Sequence, residues 1–172
     1  MWNGDECAVR TIERYTSLMN DPDSPHVFAP PPLIFLAGFL VGLLLEWLVP
    51  LDRLSATTVK CIGVVVALAS GILALWGRAA MRRAGTHIDP RAPALAIVTD
   101  GPFQFTRNPL YLSLVLLTLG AALVFDLLWV IVALIPVVLI IHFGVILREE
   151  RYLASKFGQT YLDYKRKVRR WV

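Results

Sequence analysis

The hydrophobic positions of the chain are gathered into four long blocks that are apolar on every side. They run from Leu33 to Val49, from about Thr57 to Ala80, from about Leu110 to Asp126, and from Leu127 to Leu147. A helix on the surface of a soluble protein shows one apolar stripe and one polar face, and these blocks lack that pattern. Each block approaches the roughly 20 apolar residues that a helix needs to cross a bilayer. We therefore predict an all-α integral membrane protein with about four transmembrane helices.

The polar segments divide the chain into three predicted parts. Residues 1–32 form a polar leader, residues 33–83 form a first helical hairpin of two spans, and residues 84–172 hold an irregular loop, a second hairpin and a charged tail. The loop, residues 84–109, has no helical period, and loops of this length are usually functional or disordered. The tail spaces apolar residues about one turn apart and is broken at Gly158, which predicts an amphipathic helix on the bilayer surface.

Composition and charge agree with a membrane protein. The chain is 56% hydrophobic and only 17% charged, against about 25% charged residues in typical soluble domains. The net charge is +4, and the charged residues lie beside the apolar blocks. This placement is typical of residues that set membrane topology and contact lipid headgroups, so we predict no nucleic-acid partner. Cys7 lies in the polar leader and Cys61 in an apolar block, so we predict no disulfide between them. We also predict no metal site.

The distribution of basic residues predicts the orientation. Of the 17 Lys and Arg residues, only Arg53 and Lys60 lie on one side of the four predicted spans, and the others lie in or beside the leader, the loop and the tail. Loops rich in Lys and Arg stay in the cytoplasm. Both termini and the loop are therefore predicted to be cytoplasmic.

The end of the loop carries the first candidate for chemistry. Asn108 and Pro109 read as an N-cap followed by proline at the first helical position. Exposed backbone N–H groups at such a helix start can bind a carboxylate or phosphate, and Arg107 adds a positive charge beside them. The alternative is that Asn-Pro only begins a helix and that Arg107 only reaches toward the headgroups. Spacing alone leaves both open.

The start of the tail carries the second candidate. Glu149 and Glu150 are adjacent carboxylates where the fourth span leaves the membrane, and they can bind a cation such as an amine. If the helix ends there, its dipole disfavours them. The alternative is a solvated face with weak surface ion pairs.

Four further residues are substrate candidates. His142 is the one histidine inside a predicted span and lies seven residues before Glu149, on the same face of a regular helix. Ionisable groups within membranes are functional candidates, although a structural histidine fits the pattern equally well. Arg78, Arg82 and Arg83 can neutralise an acceptor carboxylate or a lipid phosphate, or extend to the interface without a ligand.

Taken in order, the motifs of the second half point to a family. The chain carries Val-Thr-x-Gly-Pro-Phe-x-x-x-Arg-Asn-Pro-x-Tyr from Val98 and Glu-Glu-x-x-Leu from Glu149. Phe-Gly-x-x-Tyr-x-x-Tyr follows from Phe157 and Val-Arg-Arg-Trp from Val168. Over about residues 85–172 this order resembles the isoprenylcysteine carboxyl methyltransferase family, whose superfamily includes phospholipid N-methyltransferases.

The resemblance implies an S-adenosylmethionine-dependent methyltransferase that releases S-adenosylhomocysteine, with its cofactor between the loop and the start of the tail. By family position, the adenosine would lie against Leu95, Ala96, Ile97, Val98 and Phe103. Asn108, Pro109, Leu110 and Tyr111 match the cofactor segment, and Glu149 matches the acidic residue near the amino-acid end. We expect Glu149, Arg107 and Asn108 to form the catalytic set. Asn108 and Leu95 replace histidines of the eukaryotic prenylcysteine enzymes, which favours the bacterial branch and a bacterial inner membrane.

The expected acceptor is a lipophilic molecule or membrane lipid with a carboxylate, thiol or amine head. Four glycines lie below the expected cofactor site: Gly63, Gly71, Gly120 and Gly144. They either leave room for the acyl or prenyl chain of the acceptor or only allow the helices to pack. A small four-helix transporter is an alternative, but Glu46 lies near the end of its span and not at the midplane where such sites occur. A non-enzymatic membrane scaffold is the second alternative function.

Overall fold

The computed structural model describes residues 29–51, 56–89 and 92–171. Within them the chain forms six α-helices: α1 (Pro31–Leu48), α2 (Thr57–Arg83), α3 (Pro109–Phe125), α4 (Leu128–Ile140), α5 (Leu147–Phe157) and α6 (Gln159–Lys167). A 3₁₀ turn (Gly101–Gln104) precedes α3, and a π-helical segment (Ile141–Ile146) joins α4 to α5. The described residues contain no β-strand, which confirms the all-α prediction. The predicted leader falls mainly in residues 1–28, outside the described residues.

Three helices are long and apolar enough to cross a membrane: α1, α2 and the continuous helix Leu128–Phe157. Helix α3 is also apolar, and its 17 residues stand at the lower end of the range of about 17–25 for a spanning helix. The prediction of an integral membrane protein with about four apolar helices is confirmed. The bounds differ by up to one turn, since α2 continues past Ala80 to Arg83.

Helix α2 packs along α3 through small residues. A Cβ atom on Gly120 would lie 2.8 Å from the Gly63 carbonyl oxygen and 2.8 Å from the Ala67 backbone nitrogen. Nearby, the Ser70 hydroxyl donates a hydrogen bond of 2.9 Å to the Ser113 carbonyl. Small residues allow this close approach of two apolar helices. Gly63 and Gly120 therefore serve helix packing and leave no space for a lipid chain between them.

Helix α1 packs along α4, and its single acidic residue has a structural partner. The Glu46 Oε2 atom accepts a hydrogen bond of 3.1 Å from the backbone N–H of Trp129, in the first turn of α4. The Trp129 indole N–H in turn donates to the Val49 carbonyl at 2.7 Å. Backbone N–H groups of a first helical turn need such acceptors. Glu46 thus caps the start of α4 and ties α1 to it.

The main core lies between α1, α3 and the long helix that starts with α4. Its buried members are Phe35, Tyr111, Leu134, Val137, Ile141, Val145 and Ile146. Tyr111 belongs to the first turn of α3, and Ile146 ends the π-helical segment. The core therefore fixes the two ends of the helices at which the candidate residues lie.

The tail folds back onto the loop. Gly158, with a φ of 55°, separates α5 from α6, as the sequence predicts. Tyr161 is only 2% exposed, and the Tyr164 hydroxyl donates a hydrogen bond of 2.7 Å to the Phe103 carbonyl. The amphipathic C-terminal helix is therefore confirmed, and part of its apolar face packs against protein. Its position on the bilayer surface stays a prediction.

Candidate functional site

A cavity lies where the loop meets the ends of the apolar helices and the folded-back tail. It contains about 930 Å³ of empty space, a figure that includes the open solvent at its mouth. Ten of the predicted site residues line it: Ala96, Ile97, Val98, Phe103, Arg107, Asn108, Pro109, Leu110, Tyr111 and Glu149. Residues that are far apart in the chain thus share one wall.

Four predicted site residues lie outside this wall. The Leu95 side chain is 60% exposed, and its backbone N–H donates to the Thr86 hydroxyl at 3.1 Å. The three arginines at the end of α2 are exposed and do not line the cavity, namely Arg78, Arg82 and Arg83. Arg83 Nη2 lies 3.3 Å from an oxygen of Asp100, in an exposed ion pair. The structure therefore does not bring these residues to the cavity.

His142 also lies away from the cavity wall. It belongs to the π-helical segment, whose wider turn shifts the face that a seven-residue spacing would share with Glu149. Its ring nitrogens lie 3.3 Å from Arg170 Nη1 and 3.3 Å from the Trp171 indole nitrogen. The Trp171 ring stacks on it with an interplanar angle of 18°. His142 therefore does not line the cavity that Glu149 lines, and it contacts Arg170 and Trp171 instead.

The sequence missed one side of the cavity. Besides Glu150, which the sequence already offers as a candidate, the tail contributes Tyr152, Leu153, Tyr161 and Tyr164, and the loop contributes Thr86, His87 and Asp89. The spacing of the tyrosines was visible in the sequence, but an apolar helical face can cover protein as well as lipid. The loop residues follow no period, so no pattern in the sequence marks them.

The side chains of Tyr111 and Glu149 contact each other in the wall of the cavity. The Tyr111 hydroxyl donates a hydrogen bond of 2.8 Å to Glu149 Oε2. Because the helix continues to Phe157, Glu149 does not lie at the negative end of its dipole, contrary to the expectation for a helix that ends there. A carboxylate offers about four acceptor positions, and Tyr111 uses one. Glu149 therefore keeps acceptor capacity for a cationic group.

Glu150 is the centre of a buried ion cluster. Its side chain is 6% exposed and lies 2.7 Å from Arg170 Nε and 3.0 Å from Lys165 Nζ. Arg107 Nη1 lies 2.9 Å from Glu150 Oε1, and the Arg107 side chain is 9% exposed. Even so, within the part of the chain that the structure describes, Arg107 Nε and Nη1 form no hydrogen bond of acceptable geometry. Nη1 is nevertheless ion-paired with Glu150, so Nε is the donor that is left for an anionic ligand. A buried donor without an acceptor costs about 1–3 kcal/mol.

Asn108 precedes α3 but makes no side-chain cap. Its side-chain Nδ2 donates instead to the Arg170 carbonyl at 2.9 Å, and its carbonyl accepts the first helical hydrogen bond, from Leu112, at 3.0 Å. The helix does begin with Pro109 at its first position, as predicted. Asn108 thus joins the start of α3 to the C-terminal segment.

Two tyrosines of α6 close the cavity beside Arg107. Burial raises the pKa of Tyr161 to about 12, and its hydroxyl is hydrogen-bonded to the Arg107 guanidinium. Burial also raises the pKa of Tyr164. Both hydroxyls therefore stay protonated at neutral pH. The cavity as a whole offers a cation and a carboxylate with apolar walls, which suits a ligand with both charges and an apolar body.

Comparisons with known proteins cover much of this site. The family model described as phospholipid methyltransferase matches residues 59–160. An uncharacterized protein of Haemophilus influenzae is 46% identical over 65 residues, which are 37% of this chain and the whole of that protein. No solved structure matches. The family match includes Arg107, Tyr111 and Glu149 and ends before Arg170.

Proposed function

The chain belongs to the phospholipid methyltransferase family, and we propose that it is a membrane-embedded methyltransferase that depends on S-adenosylmethionine. The family and the apolar helices make it a membrane methyltransferase. The observation that supports the finer proposal is the buried Arg107 guanidinium, whose Nε and Nη1 complete no hydrogen bond with the described residues, in the cavity that Glu149 also lines.

The residues of the cavity fit the cofactor. The amino-acid part of S-adenosylmethionine carries a carboxylate and an ammonium group. Arg107 would hold the carboxylate and Glu149 the ammonium group, both through charge-assisted hydrogen bonds. Val98 and Phe103, which are 8% and 9% exposed, give the apolar wall that an adenosine needs.

S-adenosylmethionine supplies a methyl group on a sulfonium, an activated group that an acceptor displaces in line. Positioning is then the main contribution of the protein. Tyr111 fixes the Glu149 carboxylate by its hydrogen bond of 2.8 Å. The buried tail residues, Tyr161 among them, exclude water from the wall beside Arg107.

We propose a lipophilic acceptor with a carboxylate, thiol or amine head. The cavity lies at the ends of apolar helices, so an acceptor can arrive sideways from the lipid, and the family description supports a lipid. A carboxylate or thiolate needs no base, whereas an amine must lose a proton. A Cβ atom added to Gly71 of α2 would meet no other atom within 4 Å, but this glycine lies on the outer face of α2 and does not line the cavity.

Incubation of the purified protein with methyl-labelled S-adenosylmethionine and a total membrane lipid extract tests the acceptor. We expect label in the organic phase, in proportion to the protein added. The matched control is the Glu149→Ala protein, which should transfer far less label. Label that appears only in water-soluble products would contradict a lipophilic acceptor.

We further propose that the termini and the loop face the cytoplasm of a bacterial inner membrane. The support is the bias of Lys and Arg toward the leader, loop and tail. In a Cys7→Ser/Cys61→Ser background, Leu95→Cys and Thr160→Cys should resist a membrane-impermeant maleimide in intact spheroplasts and react after lysis. Leu51→Cys, at the opposite end of α1, is the control and should react in both. Reaction of position 95 or 160 before lysis would contradict this topology.

A further inference from the structure

The last described residues of the chain lie directly on the motif at the start of α3. Thr106 and Arg169 form a parallel bridge, and the Arg107 backbone N–H donates to the Arg169 carbonyl at 3.0 Å. The Arg170 carbonyl accepts hydrogen bonds from the Thr106 hydroxyl at 3.1 Å and from Asn108 Nδ2 at 2.9 Å. The backbone of Arg170 is therefore fixed by residues that border the cavity.

The side chain of Arg170 engages both oxygens of Glu150. Arg170 Nε donates to Oε1 at 2.7 Å and Nη2 donates to Oε2 at 3.0 Å. Such a paired contact fixes the orientation of a carboxylate as well as its charge. Because the Glu150 side chain is 6% exposed, little water can replace Arg170 there.

Arg107 lies beside the same carboxylate without completing a hydrogen bond to it. Arg107 Nη1 is 2.9 Å from Glu150 Oε1, yet neither this nitrogen nor Nε has a hydrogen-bond partner among the described residues. Arg170 already binds that oxygen at the shorter distance of 2.7 Å. Glu150 is thus surrounded by Arg107, Lys165 and Arg170, and of the three only Arg170 binds both of its oxygens.

We propose that Arg170 is a positioning residue, which saturates Glu150 and so keeps the Arg107 N–H groups available for the carboxylate of the cavity ligand. This inference rests on the proposed function, in which Arg107 binds that carboxylate. Without the Arg170 side chain, Lys165 still pairs with Glu150 Oε2 at 3.0 Å. Glu150 Oε1 is then left to Arg107, whose Nη1 already lies 2.9 Å from it. The cavity then loses its donors for an anion while its apolar walls and Glu149 remain.

The test uses the full chain in detergent and two ligands that differ in one group. S-adenosylhomocysteine carries the carboxylate, and S-adenosyl-3-thiopropylamine is the same molecule without it. Arg170→Gln should weaken the first ligand by roughly tenfold or more, the usual effect of losing a charge-assisted hydrogen bond. The second ligand should change by less than about threefold, because it makes no contact with Arg107.

Two further variants separate positioning from general stability. Arg166→Gln removes the same charge from α6, where Arg166 is exposed and pairs with Asp163, and should leave both affinities unchanged. Arg170→Gln/Glu150→Gln also removes the carboxylate that captures Arg107, and it should recover most of the affinity for S-adenosylhomocysteine. A merely structural role of Arg170 predicts no recovery in the double variant.

Equal weakening of the two ligands by Arg170→Gln, or no recovery in the double variant, would overturn the inference. If Arg170→Gln does not fold by its thermal melt, Arg170→Lys replaces it. Lysine keeps the charge but not the paired contact, and the same selective loss is expected. A wild-type protein that binds neither ligand would instead refute the proposed function. Equal wild-type affinity for both ligands would refute the role of Arg107, and this inference with it.

Discussion

Replacing Glu149 with alanine is expected to weaken the binding of S-adenosylhomocysteine by roughly ten- to a hundredfold. The change removes a charge-assisted contact to the ligand ammonium group, which contributes about 1.5–3 kcal/mol. It also removes the acceptor of the Tyr111 hydroxyl, which donates to Glu149 at 2.8 Å. Both effects act on the same wall of the cavity, so calorimetric titration of the purified variant measures them together.

Two variants calibrate this loss. Tyr111→Phe keeps the carboxylate and removes only its hydrogen-bond donor, so its effect should be smaller than that of Glu149→Ala. Asp163→Ala removes an acidic group from α6 whose side chain is 51% exposed, and it should leave the affinity unchanged. If Glu149→Ala binds the ligand as tightly as wild type does, the assignment of Glu149 is wrong.

Gly120→Ala is expected to lower the thermal midpoint of the protein in detergent. The new Cβ atom would lie 2.8 Å from backbone atoms of Gly63 and Ala67, and no side-chain rotation can relieve a contact with backbone. Overpacking of this kind costs about 1–3 kcal/mol. Helix α2 would have to move away from α3, and the clash should appear as a lower Tm.

Gly71→Ala is the matched control for that substitution. Gly71 lies on α2 as well, but a Cβ atom there has nothing within 4 Å. Glycine within a helix is less favourable than alanine by about 0.5–1 kcal/mol, so this change should leave the midpoint unchanged or raise it slightly. Equal destabilisation by both changes would contradict the close contact of α2 with α3.

The apolar helices could be predicted from the sequence, because a long block that is apolar on every side fits a membrane-spanning helix and few other structures. The blocks ending near Asp126 and beginning at Leu127 were adjacent, and the structure joins them by a tight turn with Asp126 at a φ of 62°. Their bounds moved by a few residues because a membrane pattern does not mark where a helix ends in water. Helix α2 thus continues through the basic residues to Arg83.

The candidate site was only half predictable. The motif around Tyr111 and the position of Glu149 were expected to face each other, and their side chains are hydrogen-bonded. The resemblance places the cofactor between the loop and the tail, but the sequence does not show which apolar residues of the tail pack on the loop, because an amphipathic helix has the same pattern against lipid and against protein. His142 does not line the cavity. It lies in the π-helical segment, which changes the angle per residue, and no residue type in the sequence predicts such a segment.

We propose that the cavity binds S-adenosylmethionine through the residues at the start of α3 and of α5. The decisive measurement is calorimetric titration of S-adenosylhomocysteine into the detergent-purified full chain. We expect saturable binding at one site per chain, weakened at least roughly tenfold by Glu149→Ala. Wild-type protein that folds, as judged by its thermal melt, and shows no saturable binding of this ligand would contradict it.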